Sequence, residues 1–289
     1  MASSREIRRR IRSIGNTSQI TRAMQMVAAS KMRKAQQAAI VVRPFARLLY
    51  RMQRIATTRD VEFKHPLTIA RPVNRRAIVL IASDKGLCGA LNSNLFRLAG
   101  RFDPKTTAFI TAGRKAAQFV ARTRRELVAE FPYGDTPRYP EARAIAALAR
   151  DLFLKGEVDE VQILCTQFVN TLTQRPATLE FLPVARITGL AIPGLDAKEA
   201  AVAADATEFL FEPRPEAFMG YLLAHYLNVH IYTVLVNAKA SEQSARMVSM
   251  KSATDNAETM IKDLTLAYNK LRQGHITQEL LEIAGGQSQ

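Results

Sequence analysis

Both ends of this chain place an apolar or small residue at alternating steps of four and three, and a spacing held for so many turns leaves few folds open. From Ser4 to about Thr57, the residues Ile7, Ile11, Ile14, Ser18, Thr21, Gln25, Ala28, Met32, Ala35, Ala39, Val42, Ala46 and Leu49 share one register. From Pro215, which suits a first helical turn, the register runs Phe218, Leu222, His225, Val229, Tyr232, Val236, Ala240, Gln243, Met247, Met250, Thr254, Ala257, Ile261, Leu264, Tyr268 and Leu271. A strand would alternate by two, so the pattern argues for a coiled coil built on these seams. Consecutive steps of four at Tyr232, Val236 and Ala240 read as a stutter that locally relaxes the supercoil. Pro44 sits within the first helix, and because the register resumes to Leu49 the expectation is a kink rather than a stop.

At about 1.5 Å per residue, a helix over 4–57 is a rod of roughly 80 Å and one over 216–284 reaches about 100 Å. Separated by a compact middle region, two such helices most simply fold back as an antiparallel pair. The longer one then overhangs, roughly from Lys270 to Ala284. One stretch poses a problem. "NAKASEQSARMVSMKSATDN" (Asn237–Asn256) favours helix, yet its bulky apolar residues are only Met247, Val248 and Met250. Such a helix lacks the wide apolar stripe that buries a helix in a core. Against the small-residue run "AMQMVAASKMRKAQQAA" (Ala23–Ala39) it can approach closely, with Met filling gaps. Its outward faces are expected to stay polar and to be surrounded by something other than a core.

Between the helices, "AIVLIA" (Ala77–Ala82), "TAFIT" (Thr107–Thr111), "VQILCT" (Val161–Thr166) and "LEFLPV" (Leu179–Val184) read as strands. Helical stretches near 90–100, 113–124 and 140–155 separate the first three, which suggests a Rossmann-like α/β domain with a largely parallel sheet. Residues 57–76 and 187–207 read as linkers. The expected division is a shaft helix over 1–57, an α/β domain with its linkers over 58–212, and a second shaft helix over 213–289.

Charge is concentrated at one end. Residues 1–60 carry 14 basic side chains against 2 acidic ones, whereas residues 213–289 carry 7 of each. A basic segment of this kind looks like a dedicated electrostatic surface, and the plainer reading is a solvated helix face. It could meet nucleic acid phosphates or an acidic protein partner, for which Arg33 and Lys34 are candidates. Nothing approaches the roughly 18 apolar residues that span a bilayer. Cys88 and Cys165 are far apart, form no metal or redox motif and fit a reducing compartment. The Arg- and Ser-rich start resembles a transit peptide, but "SSRE" (Ser3–Glu6) reads as a capping box at the head of the first helix.

Signs of catalysis are few. "SDKGLCGALN" (Ser83–Asn92) joins a strand to a helix and could offer backbone N–H groups to a phosphate, but it matches neither nucleotide-loop pattern. A tight turn is the plainer reading. Cys88 has no His near it in sequence, and His65, His225, His230 and His275 are scattered. His225, on the seam, reads as a packing residue. No catalytic, metal or cofactor site is expected. A basic coiled-coil nucleic-acid-binding protein stays open as an alternative.

Three segments resemble the gamma subunit of F-type ATP synthase: "IRRRIRSIGNTSQITRAMQMVAASKMRKAQ", "SDKGLCGALN" and "ASEQSARMVSMKSATDNAETMIKDLTLAYNKLRQGHITQELLEI". The resemblance implies a central-stalk rotor, an antiparallel left-handed coiled coil turning inside a ring of three alpha and three beta subunits. It implies an α/β domain on the membrane c-ring, an epsilon subunit as a further partner, and nucleotide sites on the ring rather than here. It also implies coupling of proton flow to ATP synthesis or hydrolysis, without nucleic acid. Ring contacts carried over by motif are Met24 in "TRAMQMVAASKM", Arg246 in "ASEQSARM", and Arg272, Gln273, Thr277 and Glu279 in "KLRQGHITQEL". "TEFLFEP" (Thr207–Pro213) carries Phe where relatives often have Tyr near the c-ring foot. The regulatory cysteine insert of chloroplast relatives is absent and no clear presequence is seen, which implies a bacterial protein held peripherally on the cytoplasmic side of the plasma membrane.

Overall fold

The structure, a computed structural model, describes residues 4–58, 65–184 and 215–286, with side chains described over 4–41, 65–184, 220–278 and 280–281. The expected Ser3 cap, the 187–207 linker, the Thr207–Pro213 foot and the side chains of Val42, Pro44, Ala46, Leu49, Phe218 and Glu279 lie outside these. The chain divides into two compact units, Met1–Ala28 with Arg246–Gln289, and Ala29–Ala245.

Eleven elements are described in chain order: α1 (Ser4–Thr58), a 3₁₀ turn (Pro66–Thr68), β1 (Arg76–Ile81), α2 (Leu91–Ala99), β2 (Thr107–Ala112), α3 (Arg114–Arg122), β3 (Glu126–Phe131), α4 (Tyr139–Leu154), β4 (Glu160–Phe168), β5 (Gln174–Leu182) and α5 (Pro215–Gly286). Helix α1 continues through Pro44 rather than stopping there.

The five strands form one sheet in the order β3-β2-β1-β4-β5. β1 runs parallel to β2 and β4, and β2 parallel to β3; β5 alone is antiparallel, to β4. The sequence reading has no strand at β3. Glu126, Leu127, Val128 and Glu130 are exposed there, so an edge strand shows neither an apolar run nor an alternation. Period-two patterning separates the two faces elsewhere. Ala77, Val79, Ile81, Ile110 and Ile163 enter one buried cluster with Ile145, Ala149 and Phe153 of α4. Ile78, Leu80, Phe109 and Leu164 enter another with Leu95 of α2 and Ala116 and Val120 of α3.

The α4 face also receives Leu223, Tyr226, Leu227, Ile231, Val234, Leu235 and Ala238 of α5. These positions fall beside the expected seam, not on it. The first half of α5 is therefore a core helix of the α/β unit, apolar on most sides, as a buried helix should be. The seam residues Val229 and Val236 are buried as well.

In the other unit the two long helices pair along the expected seam. Ile7, Thr21, Ala28, Met250, Thr254 and Ala257 are buried, and Ile11, Ile14, Met247, Ile261 and Leu264 are half-buried. The hydroxyls of Thr21 and Thr254 lie 2.7 Å apart. Arg8 hydrogen-bonds Tyr268 and sits 5.2 Å from its ring centroid. Low numbers on α1 meet high numbers on α5, so the pair is antiparallel.

Candidate functional site: the carboxyl edge of the sheet and the coil surface

The order β3-β2-β1-β4 is that of doubly wound folds, which take ligands at the carboxyl edge where the strand order reverses, here between β1 and β4. "SDKGLCGALN" follows β1 at that edge and is pinned by its own side chains. Ser83 Oγ donates to the Lys85 carbonyl at 2.8 Å, and Asn92 Nδ2 donates to Ser83 Oγ at 2.7 Å. Leu87 and Gly89 turn the chain with φ of 62° and 58°. Across the edge, Tyr133 Oη donates to the Ala82 carbonyl at 2.9 Å. Gly113 has φ 94°, and a Cβ there would meet the Ala82 carbonyl oxygen at 2.1 Å, so only glycine lets β2 pass into α3.

Helix α5 covers this edge. Ser241 Oγ donates to the Thr166 carbonyl at 3.1 Å and Ser244 Oγ to the Thr171 carbonyl at 2.8 Å. Ala245 packs with Cys88 and Leu91. The sequence expectation for the first part of the Asn237–Asn256 stretch is corrected here. From Asn237 to Arg246 every side chain is buried. Small hydroxyl residues suit the place because strand ends present carbonyls that a buried helix must satisfy.

Among the candidate partner contacts, Arg33, Lys34, Arg272, Gln273 and Thr277 are exposed and Met24 is half-buried. Thr277 Oγ1 donates back to the Gln273 carbonyl at 2.9 Å. Arg246 differs, with only 8% exposure. Off the register, Ile20, Met26 and Val27 on α1 and Met260 and Leu266 on α5 were missed as surface candidates; they are exposed, Leu266 to 69%, as are Ile276, Leu280 and Leu281 of the expected overhang. Their signal was legible as apolar residues outside the 4-3 seam.

Two buried groups of the α/β unit are held in their neutral forms. Burial pushes the Cys165 thiol up to about 12, and a thiol is nucleophilic only as thiolate. Burial also lowers His230 to about 4, between the rings of Phe181 and Tyr226. His225 Nδ1 lies 3.1 Å from Tyr139 Oη, with the two ring centroids 6.1 Å apart. Among the described residues no group of His, Cys, Asp and Glu could hold a metal, and no helix is long and apolar enough to cross a membrane.

An antiparallel helical pair whose far end is exposed is thus joined in one chain with a doubly wound unit whose carboxyl edge its own helix covers. The family model described as ATP synthase matches residues 3–288. An ATP synthase gamma chain of Opitutus terrae is 45% identical, with 99% of this chain and 98% of that one covered. One from Desulfitobacterium hafniense is 41% identical, covering 100% and 99%. Among solved structures, the central stalk and c-ring structure of the Tetrahymena thermophila mitochondrial ATP synthase has a similar chain, with a TM-score of 0.61 and 26% identity over 81% of this chain and 99% of that one. The chain belongs to the ATP synthase gamma chain family.

Proposed function

We propose that this chain is the rotor subunit of a proton-translocating F-type ATP synthase, without a catalytic site of its own. It couples rotation of a c-ring to ATP synthesis or hydrolysis on a ring of three alpha and three beta subunits, with an epsilon subunit beside it. The observation that carries the reading is likeness to ATP synthase gamma chains over the full length rather than over one motif. Two physical features support it. The coil is held by a narrow seam while most residues on its other faces are charged or polar, with large apolar ones such as Ile20, Val27 and Leu266 scattered among them, which suits a shaft that must not adhere to one of three similar surfaces. The edge at which a doubly wound domain would take a nucleotide is filled by α5. The relatives and solved structures named above all come from ATP synthases, and the second long helix carries no net positive charge.

On this reading residues 1–57 and 213–289 are the shaft and 58–212 the foot that rests on the c-ring. Met24, Arg33, Lys34, Arg272, Gln273, Thr277 and Glu279 meet the ring. Arg246 stays in that set on resemblance alone, because its side chain is buried. The complex sits on the cytoplasmic side of a bacterial plasma membrane, and this chain attaches to it peripherally through the c-ring. Purifying the native complex through a tag on this chain tests the proposal. Alpha, beta, epsilon and c subunits should copurify. A chain that purifies without them, and that binds DNA in a salt-sensitive way or shows a micromolar nucleotide site by calorimetry, overturns it.

A further inference from the structure

Asp135 lies on the loop between β3 and α4, and ammonium groups from both long helices meet on its carboxylate. Lys31 of α1 donates to Oδ2 at 2.6 Å, and Lys239 of α5 stands 3.7 Å from Oδ1. Lys239 is only 1% exposed, and a buried charge persists only where it is paired. Its closer partner is Glu242, one turn along α5 at 3.0 Å and itself 2% exposed. The same ammonium stands 5.2 Å from the Tyr133 ring centroid, a cation–π contact. The hydrogen bond from Lys31, helped by the charges of Lys239 and Lys85, holds the Asp135 carboxyl below the usual carboxylate range.

Packing alone does not call for this arrangement. A buried ion pair can usually be replaced by apolar side chains at little loss of stability. Apolar contact is also non-directional, and it lets a helix turn or slide a little against its support. A carboxylate shared by two ammonium groups, one of them buried, fixes direction as well as distance.

We propose that Asp135 is a positioning residue for rotary coupling: through Lys31 and Lys239 it locks both long helices to the β3–α4 loop, so that twist passes between the α/β domain and the helices without slip. The inference rests on the rotor reading.

The test uses the assembled complex in inverted membrane vesicles and reads proton pumping per ATP hydrolysed. Asp135→Asn should leave hydrolysis within about twofold while pumping per ATP falls by about threefold or more, and Asp135→Glu should restore most of it. An unchanged ratio in Asp135→Asn, with or without a lower melting temperature of the purified chain, overturns the proposal and leaves a merely structural contact. If Asp135→Asn does not assemble, Lys31→Met decides, since it removes a partly exposed cation. A reduced ratio supports the lock, and an unchanged one overturns it. A complex that assembles and pumps without this chain brings down the rotor reading itself, an outcome distinct from an unchanged ratio.

Discussion

Two stretches of the same helix solve burial differently. From Leu222 to Met250, α5 has no exposed side chain; from Lys251 to Leu271 it is covered mainly along the seam at Thr254, Ala257, Ile261, Leu264, Tyr268 and Leu271. The first stretch contains both the apolar run through Leu235 and the polar run from Asn237 to Arg246, so hydrophobic content does not decide which part is buried. What decides is the neighbour. A sheet edge offers carbonyls to Ser241 and Ser244 and a carboxylate to Lys239, whereas a single partner helix offers only a stripe.

The largest test of this contrast removes one leucine from each stretch. Leu235 has no exposed surface and joins the core shared with α4. Leu235→Ala should destabilise the purified chain by an amount in the upper part of roughly 2–5 kcal/mol. Leu266 is an exposed residue of the second stretch, and Leu266→Ala should stay within about 0.5 kcal/mol. Chemical denaturation followed by circular dichroism reads both. Equal losses would mean that the two stretches are buried alike.

A second contrast is set by pH. His230, in the first stretch, has its folded pKa lowered by burial from 6.5 to about 4. Between these values the unfolded chain binds a proton that the folded chain does not. Stability is therefore full above pH 6.5 and falls as the pH drops toward 4, by about 3 kcal/mol if the whole shift is expressed. Melting curves across this window should show the slope, and His230→Phe should flatten it. A slope unchanged in the variant would place the titration on other groups.

The seams were legible because a coil has one rule, the 4-3 step, and residues such as Ile7, Thr21, Met250 and Ala257 obey it alone. The helices α2, α3 and α4 and the strands β1, β2 and β4 were legible for the same reason, a period matched to one buried face. The strand β3 was not, because an edge strand with Glu126 and Glu130 outward carries no such period. Nor was the covering of Asn237–Ala245. Ser241 and Ser244 meet carbonyls of Thr166 and Thr171 more than 70 residues away in sequence, and no local pattern encodes a partner that distant. Of the candidate partner contacts, the motif residues on α1 and at the end of α5 are mostly exposed. Asp135 was not legible, since a lone acid in a loop has no signal until both lysines are in place.

A smaller effect is expected from the polar pair inside the coil. Thr21 Oγ1 also donates to the Ser18 carbonyl at 3.0 Å and Thr254 Oγ1 to the Met250 carbonyl at 2.9 Å. Two hydroxyl protons cannot serve three bonds at once, so the link between the hydroxyls forms only when one leaves its own helix. Thr254→Val should destabilise by about 1 kcal/mol or less, and adding Thr21→Val should recover part of it. A double-mutant cycle with no coupling would show that the two helices are held in register by the apolar seam positions alone.

The least effect on the chain itself should come from its end. From Arg272 to Gln278 every side chain is exposed, and Ile276, Leu280 and Leu281 present apolar surface to water. The seam has run out by Leu271, so these residues contribute little to folding, yet an apolar helix end in solvent is a surface that wants a partner. Deleting residues 277–289 should therefore shift the purified chain's stability by less than about 0.5 kcal/mol. The same deletion should weaken assembly with the alpha–beta ring or torque transfer within it, measured as the yield of purified complex and its coupled turnover. If the truncated chain instead melts early on its own while the complex assembles and turns over normally, the end packs on its own chain, and the second stretch of α5 is then no different in kind from the first.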